Sequence, residues 1–599
     1  MIPDRPRLIA AGILLLVLVA YIPALRAGFI WDDDSYVTEN ETLRSLEGLK
    51  RIWFEPRATP QYYPLVHTTF WIEYHLWGLR PFGYHLINVL LHALNACLFW
   101  LILRQLHVPG APVAALLFAL HPVHVESVAW VTERKNLLSG AFYLAAALAY
   151  LRTERRRWLL VGGLFLGALL SKTVTATLPA ALALIEWWKK GRVSGRELLP
   201  LFTLGAGMGL LTAWIEKHHV GATLDLSAIE RILVAGRALW FYASKLILPV
   251  QLSFIYPRWN IDAAALWQFA FPVGAVGVIA VLWFLRRRWG RGPLVAVLFF
   301  AGTLFPALGF VDVYPFRFSF VADHFQYLAS LGLLALAAGT RHRAAGMIGL
   351  AVAVFFGILT WSQARDYKDQ PTLWRATIAV NPACWMAHLN LGQLLAEEGR
   401  TTEAMTHFQE TLRLKPEYDE GHNNLGITLE RQGRAEEAAE QYRAALRIDP
   451  DNVNARMNLA NLLTTRGEGE PAIHHYREVI RRRPDLAAAH LNLGMLLARK
   501  GARPEAIEHF RAAVRCDPTL GKAWLGLGMA SAQEEAFEEA IDAYRQLLKG
   551  DPRHEQARLY LAIAYRDSGR MDEAIREFRM LLQQNPSHEL ARQLLEEIE

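Results

Sequence analysis

Residues Glu417–Pro450 read EYDEGHNNLGITLERQGRAEEAAEQYRAALRIDP, and variants of this line return every 34 residues to the end of the chain. Seven prolines mark the ruler: Pro382, Pro416, Pro450, Pro484, Pro518, Pro552 and Pro586. Small residues fill two slots of each unit. Gly392, Gly426, Ala460, Gly494, Gly528 and Ala562 take one, and Ala404, Ala438, Ala472, Ala506, Ala540 and Ala574 take the other. An aromatic ring takes a third: Phe408, Tyr442, Tyr476, Phe510, Tyr544 and Phe578. Small residues let two helices cross closely, and the proline follows the second helix, where its missing N–H costs nothing. One such unit cannot bury its apolar face alone, so the copies must stack and share a core.

A helix–turn–helix period of this length is that of tetratricopeptide repeats. The spacing predicts an α-solenoid of six repeats with a C-terminal capping helix over 384–599, entered through a connecting half repeat at 366–383. Partner binding is the usual work of such a stack. Asn390, Asn424, Asn458 and Asn492 share one position of the first helix. Stacked amides on a concave face can hold an extended peptide backbone, each offering a donor and an acceptor. The row resembles the asparagine ladder of the soluble O-GlcNAc transferase, although Asn before Leu-Gly also fits plain repeat consensus.

The part before the repeats, 1–365, is built differently. It predicts about eleven membrane-spanning helices: Leu8–Leu25 as a retained anchor, then segments near 84–103, 110–120, 137–151, 158–171, 174–188, 197–215, 263–285, 293–310, 326–340 and 344–363. The segment 231–250 holds Arg231, Arg237 and Lys245 and reads as interfacial or re-entrant. The fold class is therefore all-α, a polytopic membrane domain followed by a solenoid. The formal net charge of +6 does not point to nucleic acid. Much of it sits in short loops at Arg152–Arg157, Lys189–Arg196, Arg286–Arg291 and Arg341–Arg343, which mark the cytoplasmic side. An odd span count from an inside N-terminus puts the repeats outside, in the periplasm of a cell with an inner membrane. With three cysteines, Cys97 in a span and Cys384 about four repeats from Cys516, there is no disulfide framework or zinc spacing.

The loops predicted to face outward carry the chemistry. Asp32, Asp33 and Asp34 follow the first span. A carboxylate at that boundary suits a general base or an oxygen ligand to a divalent cation, against the plainer reading of a solvated loop start. The stretch 121–136 holds His121, His124, Glu126, Arg134 and Lys135. The histidines lack helical metal spacing, while Arg134 and Lys135 suit a phosphate. Lys172, Arg317, Asp323 and His324 lie in further loops of the same face. Together they would suit a site that joins a lipid-borne anionic donor to a hydroxyl.

Taken in order, Phe29-Ile-Trp-Asp-Asp33, His121-Pro-Val-His124 with Glu126 and Arg134, Lys172, the Ala322–Ser330 stretch and the repeats resemble the transmembrane and tetratricopeptide repeat-containing (TMTC) O-mannosyltransferases of the GT-C glycosyltransferase superfamily. The resemblance implies a GT-C-like fold for 1–365 and a polyprenyl-phosphate-linked sugar as donor substrate. It implies a base in the first outer loop, Asp32 or Asp33, and cations for the donor phosphate: Arg134 and Lys172, then Arg237 and Arg317. An acceptor protein or envelope partner would engage the repeats. The chain departs from animal members at Glu133-Arg134-Lys135-Asn136 and at Asp323-His324. The rival reading is a non-catalytic membrane-anchored scaffold for envelope or exopolysaccharide assembly.

Overall fold

The computed structural model describes residues 6–152, 158–219, 226–311, 314–339 and 343–599. Most of the basic loop at 152–157 and part of that at 341–343 lie outside this set, as do parts of the loops 216–230 and 311–325. The described residues are helical throughout with no strand, and they divide into two compact units, Met1–Leu391 and Gly392–Glu599.

In the first unit each of the eleven segments expected to span carries a helix, but among the described residues length and apolarity support three spans, or four with one bent pair, rather than about eleven. Three are both long and apolar enough to cross a bilayer: Pro81–Gln105, Leu266–Trp289 and Ala344–Ala364. Ala111–Ala119 and Pro122–Ala129 qualify as a pair, bent by 51°. Others are short; Leu178–Lys190 has 13 residues and Ser330–Ala338 has 9. A bilayer core needs about 20 residues of helix. The segment at 231–250 is one helix, Ala228–Ile247, started by a capping box between Ser227 and Glu230.

The stretch 121–136 is not the open loop that its polar residues suggest. It folds into short helical turns, Pro122–His124, Val125–Ala129 and Val131–Glu133, and every residue in it is buried. Asn88 of the Pro81–Gln105 helix donates to the Val128 and Trp130 carbonyls at 3.3 and 3.2 Å. Backbone carbonyls sealed inside a bundle need such partners. The apolar side chains of Val123, Val125, Val128 and Val131 are the signal for this inward course.

The second unit completes six helix pairs, from Trp385–Glu397 with Thr401–Leu414 to Glu555–Asp567 with Met571–Gln584, closed by Glu589–Glu596. A Cβ on Gly426 would meet the Tyr442 ring at 2.6 Å, which is why that slot stays small. The turn inside each pair has a left-handed residue: Gly399, Gly433, Gly467, Gly501 and Gly569, with Glu535 in the same slot at φ 60°. A nitrogen donor six residues after each proline closes on that proline's carbonyl. His388, His422, Arg456, His490, Trp524, Arg558 and Arg592 all do this, at 2.5 to 3.2 Å. Each thus ties the end of one pair to the first helix of the next.

Candidate active site

The three aspartates after the first helix have three different environments. Asp33 is fully buried. Its Oδ1 accepts from the Thr132 N–H at 2.8 Å and the Thr132 hydroxyl at 2.6 Å, and its Oδ2 from the Ile30 N–H at 2.9 Å. It pins the first loop to the buried 121–136 stretch. Asp32 is half-buried and accepts from the Trp130 indole N–H at 3.0 Å. Asp34 is half-exposed, accepts from the Thr38 hydroxyl at 3.0 Å and starts the turn Asp34–Thr38. Trp31, just before them, is held at φ 46°, a costly conformation for a bulky residue. Its ring packs 5.4 Å from Trp130 and 5.1 Å from Phe254. The loop geometry is thus fixed from both sides of Asp32.

The electrostatics move the first two carboxyls the same way, so it is exposure that separates them. Burial pushes Asp32 up to about 6, against the pull of the Lys135 ammonium. Burial and then the neighbouring Asp32 charge push Asp33 up to about 7. Asp32 is therefore a partly accessible carboxylate with a basicity suited to accepting a proton near neutral pH.

The cations around it are Lys135 and Lys172, which share one acid. Glu133 meets the Lys135 ammonium at 3.0 Å through one oxygen and that of Lys172 at 3.3 Å through the other. Burial would raise Glu133, but His324, Lys135 and Lys172 outweigh it and hold the carboxyl well below its usual range. Asn136 connects the cluster: its amide donates to Glu133 at 2.6 Å and to the His324 carbonyl at 2.9 Å, and its oxygen accepts from Lys172 at 2.8 Å. Burial draws Lys172 down to about 8. Lys135 also lies 5.6 Å over Trp130, the ring bonded to Asp32. Lys135 is the cation that acts on Asp32 directly, and Lys172 joins it through the shared Glu133.

His324 and Glu126 belong to the wall of this cluster, with the ring nitrogen 2.9 Å and the backbone N–H 3.0 Å from the Glu126 carboxylate. Asp323 turns away to the Tyr256 hydroxyl, which lies 3.0 and 2.9 Å from its two oxygens, and burial holds its carboxyl far above the usual range.

Other expected site residues are engaged elsewhere. Arg134 is fully buried, and its guanidinium is held by Glu73 and Asn88 at 2.5 Å, the Tyr84 carbonyl at 2.7 Å and Thr69 at 3.3 Å. It braces three helices and cannot turn to a phosphate without leaving Glu73 unpaired. His121 and His124 are likewise buried and spent, on the Leu246 carbonyl at 3.0 Å, and on the Phe118 carbonyl and Ser330 hydroxyl at 2.8 and 3.1 Å. Arg237 lies over the Trp259 ring at 4.5 Å, and Arg317 is exposed at the end of the turn Tyr314–Arg317. Among the described residues no three acids, histidines or cysteines gather as a metal site.

The asparagine row is partly used up inside the stack. Asn458 and Asn492 donate to Asn423 and Asn461 at 2.9 Å, and Asn390 to the Met386 carbonyl at 2.8 Å. The Asn424 amide nitrogen is buried without a hydrogen-bond partner. The row's donors therefore serve packing between and within repeats in three of the four positions, and what remains for a peptide is chiefly the carbonyl oxygens.

Family models described as tetratricopeptide or TPR repeat match residues 392–433, 431–467, 457–520 and 531–598. The chain is similar to the protein O-mannosyl-transferase Tmtc3 of Drosophila melanogaster, 28% identical over 520 residues that cover 69% of this chain and 55% of that one. It is similar to the protein O-mannosyl-transferase TMTC4 of Homo sapiens, 27% identical with 65% and 64% covered, and to a Caenorhabditis elegans protein O-mannosyl-transferase, 23% identical with 66% and 61% covered. The chain thus spans 55 to 64% of the length of these relatives. The resemblance to the TMTC O-mannosyltransferases holds over about two thirds of it. Among solved structures it is similar to YrrB, "a TPR protein with an unusual peptide-binding site", at 21% identity and a TM-score of 0.28, covering 31% of this chain and 95% of that one.

Proposed function

We propose that this chain is a GT-C-type membrane glycosyltransferase. It moves a mannose-like sugar from a polyprenyl-phosphate donor to a hydroxyl, that of a Ser or Thr in a protein, on the outer face of an inner membrane. The Asp32 carboxylate takes the proton from the acceptor hydroxyl. That oxygen forms a bond to the anomeric carbon as the bond from this carbon to the phosphate oxygen breaks, and the configuration inverts. The polyprenyl phosphate leaves with the electron pair, and Lys135 and Lys172 stabilise the charge that develops on it. Asp33 positions the base through Thr132 and Ile30. No metal is needed for this balance, although a divalent cation through Asp32 and Asp34 is a variant that a chelator experiment separates. The repeats, outside the membrane in this reading, present the acceptor protein or dock an envelope partner.

The observation that carries the proposal is the pairing of a half-buried Asp32 with the Lys135–Glu133–Lys172 cluster, in a relative of named O-mannosyltransferases. A scaffold has no use for a carboxylate of raised basicity beside two cations. The test is transfer of label from polyprenyl-phosphate-[³H]mannose to a periplasmic extract by the protein in detergent. Label in protein with wild type, lost with Asp32→Asn, supports the enzyme. No transfer from mannose, glucose or other common donors by a folded sample returns the weight to the scaffold.

A further inference from the structure

The first unit also contains an apolar cavity of about 350 Å³, within the size range of small-molecule sites. Its walls include Phe99 and Leu103, Leu144, Leu182, Phe299 and Leu336, from five different helices. It is not the site described above. Asn88, which holds the Trp130 carbonyl, and Leu103 lie on one helix, separated by about 22 Å of rise.

The mouth differs from the walls. Trp188 and Trp289 line the cavity at their helix ends. Beside Trp188 stand Lys189 and Lys190, both exposed, and Arg291 precedes the lining Gly292. The Lys189 ammonium rests 4.1 Å over the Trp188 ring and donates to the carbonyl of Leu106, another lining residue. Arg291 rests 5.1 Å over Trp187 and donates to its carbonyl at 2.8 Å. An ammonium has three donors and a guanidinium five, so both keep donors beyond those contacts. Exposed Arg287 and Arg288 add charge at the adjacent helix end, while the acid Glu186 is already paired with Lys190 at 2.8 Å.

A partly open apolar slot under an aromatic and cationic collar matches an amphiphile that offers an apolar chain and an anionic head. We propose that this cavity binds an acyl chain of an anionic phospholipid, with the headgroup phosphate on the collar of Lys189, Lys190 and Arg291. The sugar donor is itself an anionic amphiphile. With its phosphate at Lys172, however, it has no second anion to offer a collar at the far end of the helices. The bound chain would wedge together helices that otherwise pack around a void, so the ligand is structural, not reactive. This inference rests on the helices lying in a membrane, not on sugar transfer, and its readout is lipid mass.

The full chain is delipidated in detergent, titrated with phosphatidylglycerol or phosphatidylcholine and weighed intact by native mass spectrometry. The expected result is one phosphatidylglycerol retained in preference to phosphatidylcholine. Lys189→Gln with Lys190→Gln should weaken that retention about thirtyfold, from two surface cations. Ala296→Phe, which fills the slot, should abolish it; should that variant misfold, the exposed lysine pair decides alone. Equal retention of the two lipids, or undiminished phosphatidylglycerol binding by the lysine variant, overturns the proposal. So does one-for-one displacement of phosphatidylglycerol by polyprenyl phosphate, which would assign the slot to the donor's tail.

Discussion

If Asp32 is the base, activity must follow its ionisation. With its carboxyl at about 6, the ionised share is about 0.9 at pH 7 and about 0.09 at pH 5, so kcat/KM should fall about tenfold across that interval. A phosphodiester donor keeps its single charge throughout, so this limb belongs to the protein. The opposite limb comes from Lys172, near 8 in the free protein: as pH rises through that value the cation facing the phosphate is lost and the profile turns down. Asp32→Asn should cost about 10²- to 10⁴-fold, the usual contribution of a positioned base, and remove the acid limb. The assay is initial transfer of labelled sugar in detergent from pH 5 to 9, with the fold checked by a melting curve at each end. A wild-type rate flat between pH 5 and 7 would refute the reasoning. So would an Asp32→Asn enzyme that keeps both its rate and its acid limb.

Asp33→Ala should behave differently from Asp32→Asn: it strands the buried Thr132 and Ile30 donors, costing at least about 2 kcal/mol, and should visibly lower the melting temperature where Asp32→Asn does not. Arg134→Ala leaves the buried Glu73 uncompensated, a loss of about 3–5 kcal/mol, so the folded yield should collapse before any rate is measured. Lys172→Gln should fold normally and lower kcat by about 10²-fold, as for removal of a donor to a developing anion; a rate within twofold of wild type would remove Lys172 from the phosphate's surroundings. Glu535→Gly relieves a left-handed strain of about 1–2 kcal/mol at a cost of about 0.4–1 in unfolded-chain entropy, so hydrogen exchange across residues 521–567 should slow.

The repeats were readable because their constraint is local and copied. A proline, a small residue and a ring at fixed offsets are enough to predict each helix pair, and six pairs form. Asp32 and Asp33 stood out as charges at a membrane boundary, but nothing adjacent to them in sequence says which is sealed in. That depends on Thr132 and Trp130, about a hundred positions away. Arg134 misled for the same reason. Basic character next to Lys135 suits a phosphate, yet its partners Glu73, Tyr84 and Asn88 come from two earlier helices that only the fold brings near. Glu133 carries an acid's ordinary signal; its role as counterion to two lysines appears once the Lys172 turn packs against it. Val125, Val128 and Val131, three residues apart, are the local clue to a buried helical course in that stretch.

The carbonyl that closes each repeat is satisfied by histidine at three positions, by arginine at three and by tryptophan once. Along this chain the slot thus keeps a reachable N–H while the residue that supplies it varies. A lineage can copy such a segment and let its letters diverge without losing the joint between neighbours. Arm length then becomes a heritable quantity, added or trimmed one segment at a time.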